Sequence, residues 1–193
     1  RKALDLAVLD RLISDNAAAH IQSARWQRPP VDPFTADEAE RIIAAIAEPA
    51  VANYVAFKFY TGLRTSESFG LRWPSVDLAS GHAVISESLV GGVEKRSTKT
   101  TRARTVLLSD PALAALKAQK AHTFLAGGRV WLDPRDGQPW TERSFRDFWV
   151  PTLKRLGIRH RRAYNTRHTY ASVMLMAGLK PAFCAGQMGR SEE

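Results

Sequence analysis

Three prolines within five residues, Pro29, Pro30 and Pro33, constrain this chain more than any other feature. Proline fixes φ and removes a backbone donor, so no helix crosses this stretch. Residues 17–34 also have few periodic apolar positions, which is the chemistry of a stiff connector. A boundary is therefore expected here. Residues 1–33 would be a short helical element plus connector, and residues 34–193 a domain with its own core. With 45% of 193 residues apolar, the material for one sizeable core is present.

Start and stop signals divide the rest into short helices. Leu4, Ala7, Val8, Arg11 and Leu12 have helical spacing over 1–14. Thr35 and Glu38 form a capping box ahead of Ala39, Ile42, Ile43 and Ile46. Pro49 opens a second helix through Tyr60, which Gly62 ends, and Thr65 or Ser66 can cap a short third one. Ala83–Ser86 and Thr105–Leu108 read as strands around a basic Gly91-Gly92 loop or distorted hairpin. Helices follow from Asp110-Pro111, from Thr141 (with Pro151 expected to kink it), from Asn165 or Thr166, and from Pro181. The expected class is mainly α with a small antiparallel sheet, about seven helices and two or three strands. Trp73, Trp131, Trp140 and Trp149 are expected in the core rather than as base-stacking platforms.

Net charge is +9, and it is clustered. Lys95, Arg96, Lys99, Arg102 and Arg104 stand against Glu94 alone in 91–104. Lys154, Arg155, Arg159, Arg161, Arg162 and Arg167 have no acidic neighbour in 154–168. Concentrated positive charge on a nearly neutral body is the footprint of a polyanion binder. No apolar run approaches the length of a membrane span. The lone Cys184 excludes an internal disulfide and suits a reducing, cytoplasmic setting.

Two boxes carry the chemistry. Thr61-Gly62-Leu63-Arg64-Thr65-Ser66-Glu67 places an arginine at a helix start. Tyr164-Asn165-Thr166-Arg167-His168-Thr169 places another in a first helical turn. There, backbone N–H groups and a guanidinium fork together suit a phosphate. With Ser97-Thr98-Lys99, Leu71-Arg72-Trp73 and Gln187-Met188-Gly189, in this order and separation, the chain from about Phe34 onward resembles the catalytic domain of the tyrosine recombinases, the phage-type integrases.

The resemblance implies roles. Arg64 and Arg167 would be the two catalytic arginines gripping the scissile phosphate, and Lys99 the lysine that protonates the departing 5′-hydroxyl. Glu67 would orient the first arginine and His168 support the second box. Lys95, Arg96, Arg102, Arg104, Arg161 and Arg162 would lie along the DNA backbone. Simpler readings stand beside these. Lys99 could be a backbone contact, with Lys95 or Arg96 in its place by a shifted register. Glu67 could be a helix-dipole partner, His168 an ordinary helix-start residue.

Three positions depart from the family pattern. Tyr164 stands where a histidine is usual, as a hydrogen-bond donor to phosphate or a packing residue. Arg190 stands where histidine or tryptophan is usual. The nucleophilic tyrosine belongs shortly after position 190, and the sequence in hand ends at Glu193. The expectation is a recombinase fragment, comprising the end of a core-binding domain and linker (1–33) and a catalytic domain (34–193). It would bind duplex DNA without cutting it. The parent would exchange strands through a 3′-phosphotyrosine as a tetramer on DNA, with no metal or other cofactor, in a bacterial nucleoid. A catalytically inactive DNA-binding protein of the same fold is the rival. Without DNA the 193-residue chain is expected to be monomeric; a dimer mass in light scattering would contradict this.

Overall fold

The computed structural model describes residues 1–21, 30–95 and 103–189. The chain divides into two compact units, residues 1–30 and 31–193. In the first, α1 (Lys2–Leu9) is shorter than the periodicity suggests. It stops because Arg11 adopts a left-handed φ of 56°. Arg11 and Leu12 then donate back to the Val8 and Ala7 carbonyls, a Schellman closure usually made by glycine. Asn16 bonds Asp5 at 2.6 Å and folds the following turn onto the helix.

In the second unit Thr35 caps α2 (Ala36–Ala44) with the expected reciprocal box. Two largely buried helices follow, α3 (Pro49–Thr61) and α4 (Thr65–Gly70). A three-stranded antiparallel sheet is built from β1 (Val76–Asp77), β2 (His82–Ile85) and β5 (Arg104–Leu107), in that order. A separate hairpin, β3 (Ser88–Val90) with β4 (Val93–Lys95), occupies the Gly91-Gly92 stretch left open between loop and hairpin by the sequence. Among the described residues there are thus five short strands, more than expected. The chain continues through α5 (Asp110–Thr123), α6 (Glu142–Arg155), α7 (Asn165–Met176) and α8 (Pro181–Met188). Helix α6 runs through Pro151.

Helix α3 is apolar on most sides because most sides are covered. Val51, Tyr54, Val55, Phe57 and Phe59 are all buried. Tyr54 lies between Phe69, Trp131, Trp140 and Phe145, with ring centroids 5.0–6.2 Å away. Its hydroxyl is satisfied by Ser68 Oγ at 3.1 Å, so the phenol costs little there. The four tryptophans assigned to the core from sequence are all buried.

Helix α7 differs from expectation. Neither Asn165 nor Thr166 caps it; the cap position is Tyr164, without a side-chain bond. Asn165 Nδ2 instead donates to the Asp32 carbonyl at 2.8 Å, and the Phe34 amide donates to Thr169 Oγ1 at 2.8 Å. Phe34 itself packs edge-on against Phe59 and Trp149. Asn165 and Thr169 of α7 are thus spent on fastening the start of the unit. Of the apolar stripe, Tyr170 is buried while Val173 is exposed.

Gly62 ends α3 in the left-handed region, φ 61°. A Cβ there would overlap the Tyr170 ring. Gly62→Ala therefore combines backbone strain with a clash. It is expected to lower stability by about 2 kcal/mol, a Tm drop of about 6 °C, measured by thermal denaturation.

Candidate active site

The left-handed turn at Gly62 aims the next residues. Leu63 is buried and Arg64 occupies the cap position of α4 with extended backbone. Glu67, one turn later, accepts from the Arg64 amide through Oε2 at 2.9 Å and from Arg64 Nη1 through Oε1 at 2.7 Å. Arg104, the first residue of β5, donates to the same carboxylate from the other side. Its Nη1 reaches Oε1 at 3.1 Å and its Nη2 reaches Oε2 at 2.8 Å. Burial pushes the Glu67 carboxyl up, but the hydrogen bonds from Arg104 and then Arg64 outweigh it and hold the group below the ordinary carboxylate range.

Arg167, in the first turn of α7, is 1% exposed. Its Nη1 donates to the Gly62 carbonyl at 2.6 Å and its Nη2 to the Met188 carbonyl at 2.7 Å. Arg64 Nη2 donates to the next carbonyl, Gly189, at 2.9 Å, and Arg104 Nε to the preceding one, Gln187, at 3.2 Å. Three guanidiniums from α4, β5 and α7 thus meet at three consecutive carbonyls closing α8. A helix C-terminus concentrates partial negative charge, which is why it tolerates three cations. Gly189 has φ 62° and lets the backbone pass against the Arg104 guanidinium.

The structure brings Arg64, Glu67 and Arg167 together, and it adds Arg104. Arg104 does not face outward as a DNA contact. At 12% side-chain exposure its guanidinium is turned onto Glu67 and Gln187. Arg161 also departs from the expected DNA face. It is buried, ion-paired with Asp32 and Glu38, and stacked on Phe34, because its position after α6 points it under the start of the unit. Arg162 is exposed, and Lys95 is exposed at the end of β4. The adjacent Glu94 ties that hairpin to the body through Arg72 and Arg129. The Tyr164 ring is exposed and stands edge-on to His168 with centroids 5.2 Å apart. Lys99, Arg96, Arg102 and Arg190 lie outside the described residues.

Lys58 was not singled out from sequence. It is 2% exposed on α3 and donates to Thr65 Oγ1 at 2.9 Å, beside the Arg64 cap. Burial and then the nearby Arg167 charge pull its ammonium down to about 7. The signal was available, since a lysine in the run Val55-Ala56-Phe57-Lys58-Phe59 interrupts an otherwise apolar helix.

Comparison with known proteins fits this architecture. The phage integrase family profile matches residues 33–192. The chain is 31% identical over 208 residues to IntQ of Escherichia coli strain K12, a protein whose name calls it defective (93% of this chain, 52% of IntQ). It is 34% identical over 163 residues to the prophage integrase IntR of the same strain (71% of this chain, 39% of IntR). It is 30% identical over 172 residues to the integrase of Salmonella phage P22 (86% and 40%). This chain therefore belongs to the phage integrase family, the tyrosine recombinases, and spans about half or less of the length of these relatives. Its fold is that of solved integrases. The Tn1549 transposon integrase, solved with circular intermediate DNA, superposes with a TM-score of 0.81 at 18% identity, covering 99% of this chain and 68% of that one. The lambda integrase tetramer on a Holliday junction gives 0.74 at 16%, covering 99% and 56%.

The Lys58 environment yields a pH prediction. Between about 7 and the ordinary 10.5 the unfolded chain holds a proton that the folded chain has released, so stability rises with pH across that window. Below 7 the buried charge destabilises the fold fully. Lys58→Met is expected to be more stable than the parent at pH 6 and to lose the rise between 7 and 10.5, read from denaturant midpoints across pH.

Proposed function

We propose that this chain is the DNA-recognising, phosphate-gripping part of a site-specific recombinase. Its parent would break and rejoin duplex DNA through a 3′-phosphotyrosine, working as an assembly on DNA. The observation that carries the reading is the meeting of Arg64 and Arg167 on adjacent carbonyls, Gly189 and Met188, from distant parts of the chain.

Arg64 remains 37% exposed after its bonds to Glu67 and Gly189, and it offers the accessible edge for a phosphate. Fixed donors of this kind act in place, without the reorganisation that water would need. Arg167 is buried behind it. In this arrangement it contributes positive charge in low-dielectric surroundings, and a direct grip on an oxygen requires the Gly62 or Met188 carbonyl to give way. Glu67 holds Arg64 in place. Lys99 would protonate the leaving 5′-hydroxyl, the role that the lysine of this motif has in the family. Tyr164, exposed at the start of α7, would donate a hydrogen bond where the family has a histidine, with His168 packed beside it and Arg190 contributing a further donor. Lys95 and Arg162, both exposed, would meet the DNA backbone, and Arg96 and Arg102 would extend that contact. The nucleophile would be the tyrosine that the family places shortly after position 190. No cofactor is required for this chemistry, because the phosphotyrosine keeps the bond energy. Among the described residues no helix is long and apolar enough to cross a membrane. The likeness to prophage and phage integrases supports placing the parent in the cytoplasm of a bacterial host.

The second reading is a DNA-binding protein of this fold that no longer cuts. Tyr164 and Arg190 favour it, as does the likeness to a relative named as defective. The full-length parent on a nicked recombination site decides between the two. A trapped covalent complex supports the enzyme; good binding with none supports the rival.

In the 193-residue chain, Arg64→Ala is expected to weaken duplex binding about tenfold and to reduce the salt slope by about one. Arg167→Ala is expected to weaken it at least as much. Unchanged affinity of both variants in a low-salt titration would overturn the proposed anchor.

A further inference from the structure

We propose that Arg104 is a positioning residue of this site, which keeps the phosphate-facing edge of Arg64 open by saturating Glu67. The proposal rests on the reading of Arg64 as the phosphate-gripping arginine. It starts from what a carboxylate can hold. Two oxygens offer about four acceptor positions. All four are filled at Glu67. Oε1 takes Arg64 Nη1 and Arg104 Nη1, and Oε2 takes the Arg64 amide and Arg104 Nη2.

The two arginines bind differently. Arg104 makes the parallel, two-pronged contact that a guanidinium and a carboxylate prefer. Arg64 has a single side-chain nitrogen on Glu67, and its other bond goes to the Gly189 carbonyl. Glu67 is 5% exposed, so solvent has little access to its oxygens. Without Arg104, the same carboxylate would be left with two empty acceptor positions beside a guanidinium already touching it. The strongest available rearrangement is for Arg64 to swing into the two-pronged contact. That turns its open edge away from solvent and from any phosphate.

Two further contacts lock Arg104 into this place. Its Nε donates to the Gln187 carbonyl, and the Gln187 side chain in turn accepts from the Leu107 amide at 2.9 Å, so β5 and α8 are latched at both ends of the strand. Gly189 leaves the space that the Arg104 guanidinium fills. A surface arginine contacting DNA would have neither feature.

The test is a double-mutant cycle on duplex binding by the 193-residue chain, with Tm measured alongside. Arg104→Gln is expected to weaken binding about tenfold. Arg104→Lys, which keeps the charge and loses the fork, is expected to weaken it similarly, and it serves if the glutamine variant does not fold. Glu67→Gln removes the competing carboxylate, so the double variant should bind as Glu67→Gln alone. Wild-type affinity for Arg104→Lys, or a double variant weaker than Glu67→Gln by the full Arg104 factor, would overturn the proposal. Should Arg64→Ala bind DNA as the unsubstituted chain does, the reading of Arg64 as the phosphate-gripping arginine has failed. Hydrogen exchange of the Arg64 guanidinium protons then decides for Arg104 alone. Slower exchange in Arg104→Gln supports the saturation of Glu67, and unchanged exchange refutes it.

Discussion

Like charges brought together in a protein interior need something to hold them. Here it is the end of α8. Three guanidiniums converge on the Gln187, Met188 and Gly189 carbonyls, and one carboxylate, Glu67, lies between two of them. The cluster keeps a positive balance, because a single acid and the partial charge of one helix end do not neutralise three arginines. That residual charge is what an incoming anion would meet. The elements around the site follow from it, since α4, β5 and α7 each deliver one arginine and α8 supplies the common acceptor.

Apart from Glu67 the acceptors are backbone, and this gives the site its rigidity. A carbonyl in a closed helical turn has no rotamer to lose, whereas a side-chain partner would have to be ordered first. Gly62 shows the same economy. Its left-handed turn stops α3, its carbonyl accepts from Arg167, and its missing side chain admits the Tyr170 ring.

Much of this was legible beforehand. The capping box at Thr35, the stop at Gly62 and the helix starts at Pro49 and Pro181 are local devices, and local chemistry can be read from neighbours in sequence. The Arg64 and Arg167 boxes were legible for the same reason, each with its own helix start. What escaped was set by partners far along the chain. Arg104 and Arg161 look like their basic neighbours until Glu67 and the pair Asp32 and Glu38 are placed opposite them. Asn165 read as a cap because asparagine often is one, but the helix takes Tyr164 as its cap position, and the Asn165 side chain donates to the Asp32 carbonyl instead. Lys58 is hidden in a different way, since the apolar run around it reads as a buried helix and gives no sign of the Thr65 hydroxyl that receives its ammonium.

The fastening of residues 32–34 carries a mechanical consequence. Asp32 is held by Asn165, Arg159 and Arg161, and the Phe34 amide by Thr169, so the first residues of this unit are riveted to the turns of α7 flanking Arg167. A pull exerted on the backbone just ahead of Asp32 would be borne by those turns, and through Arg167 by the Met188 carbonyl. The lever and the latch would then be one helix.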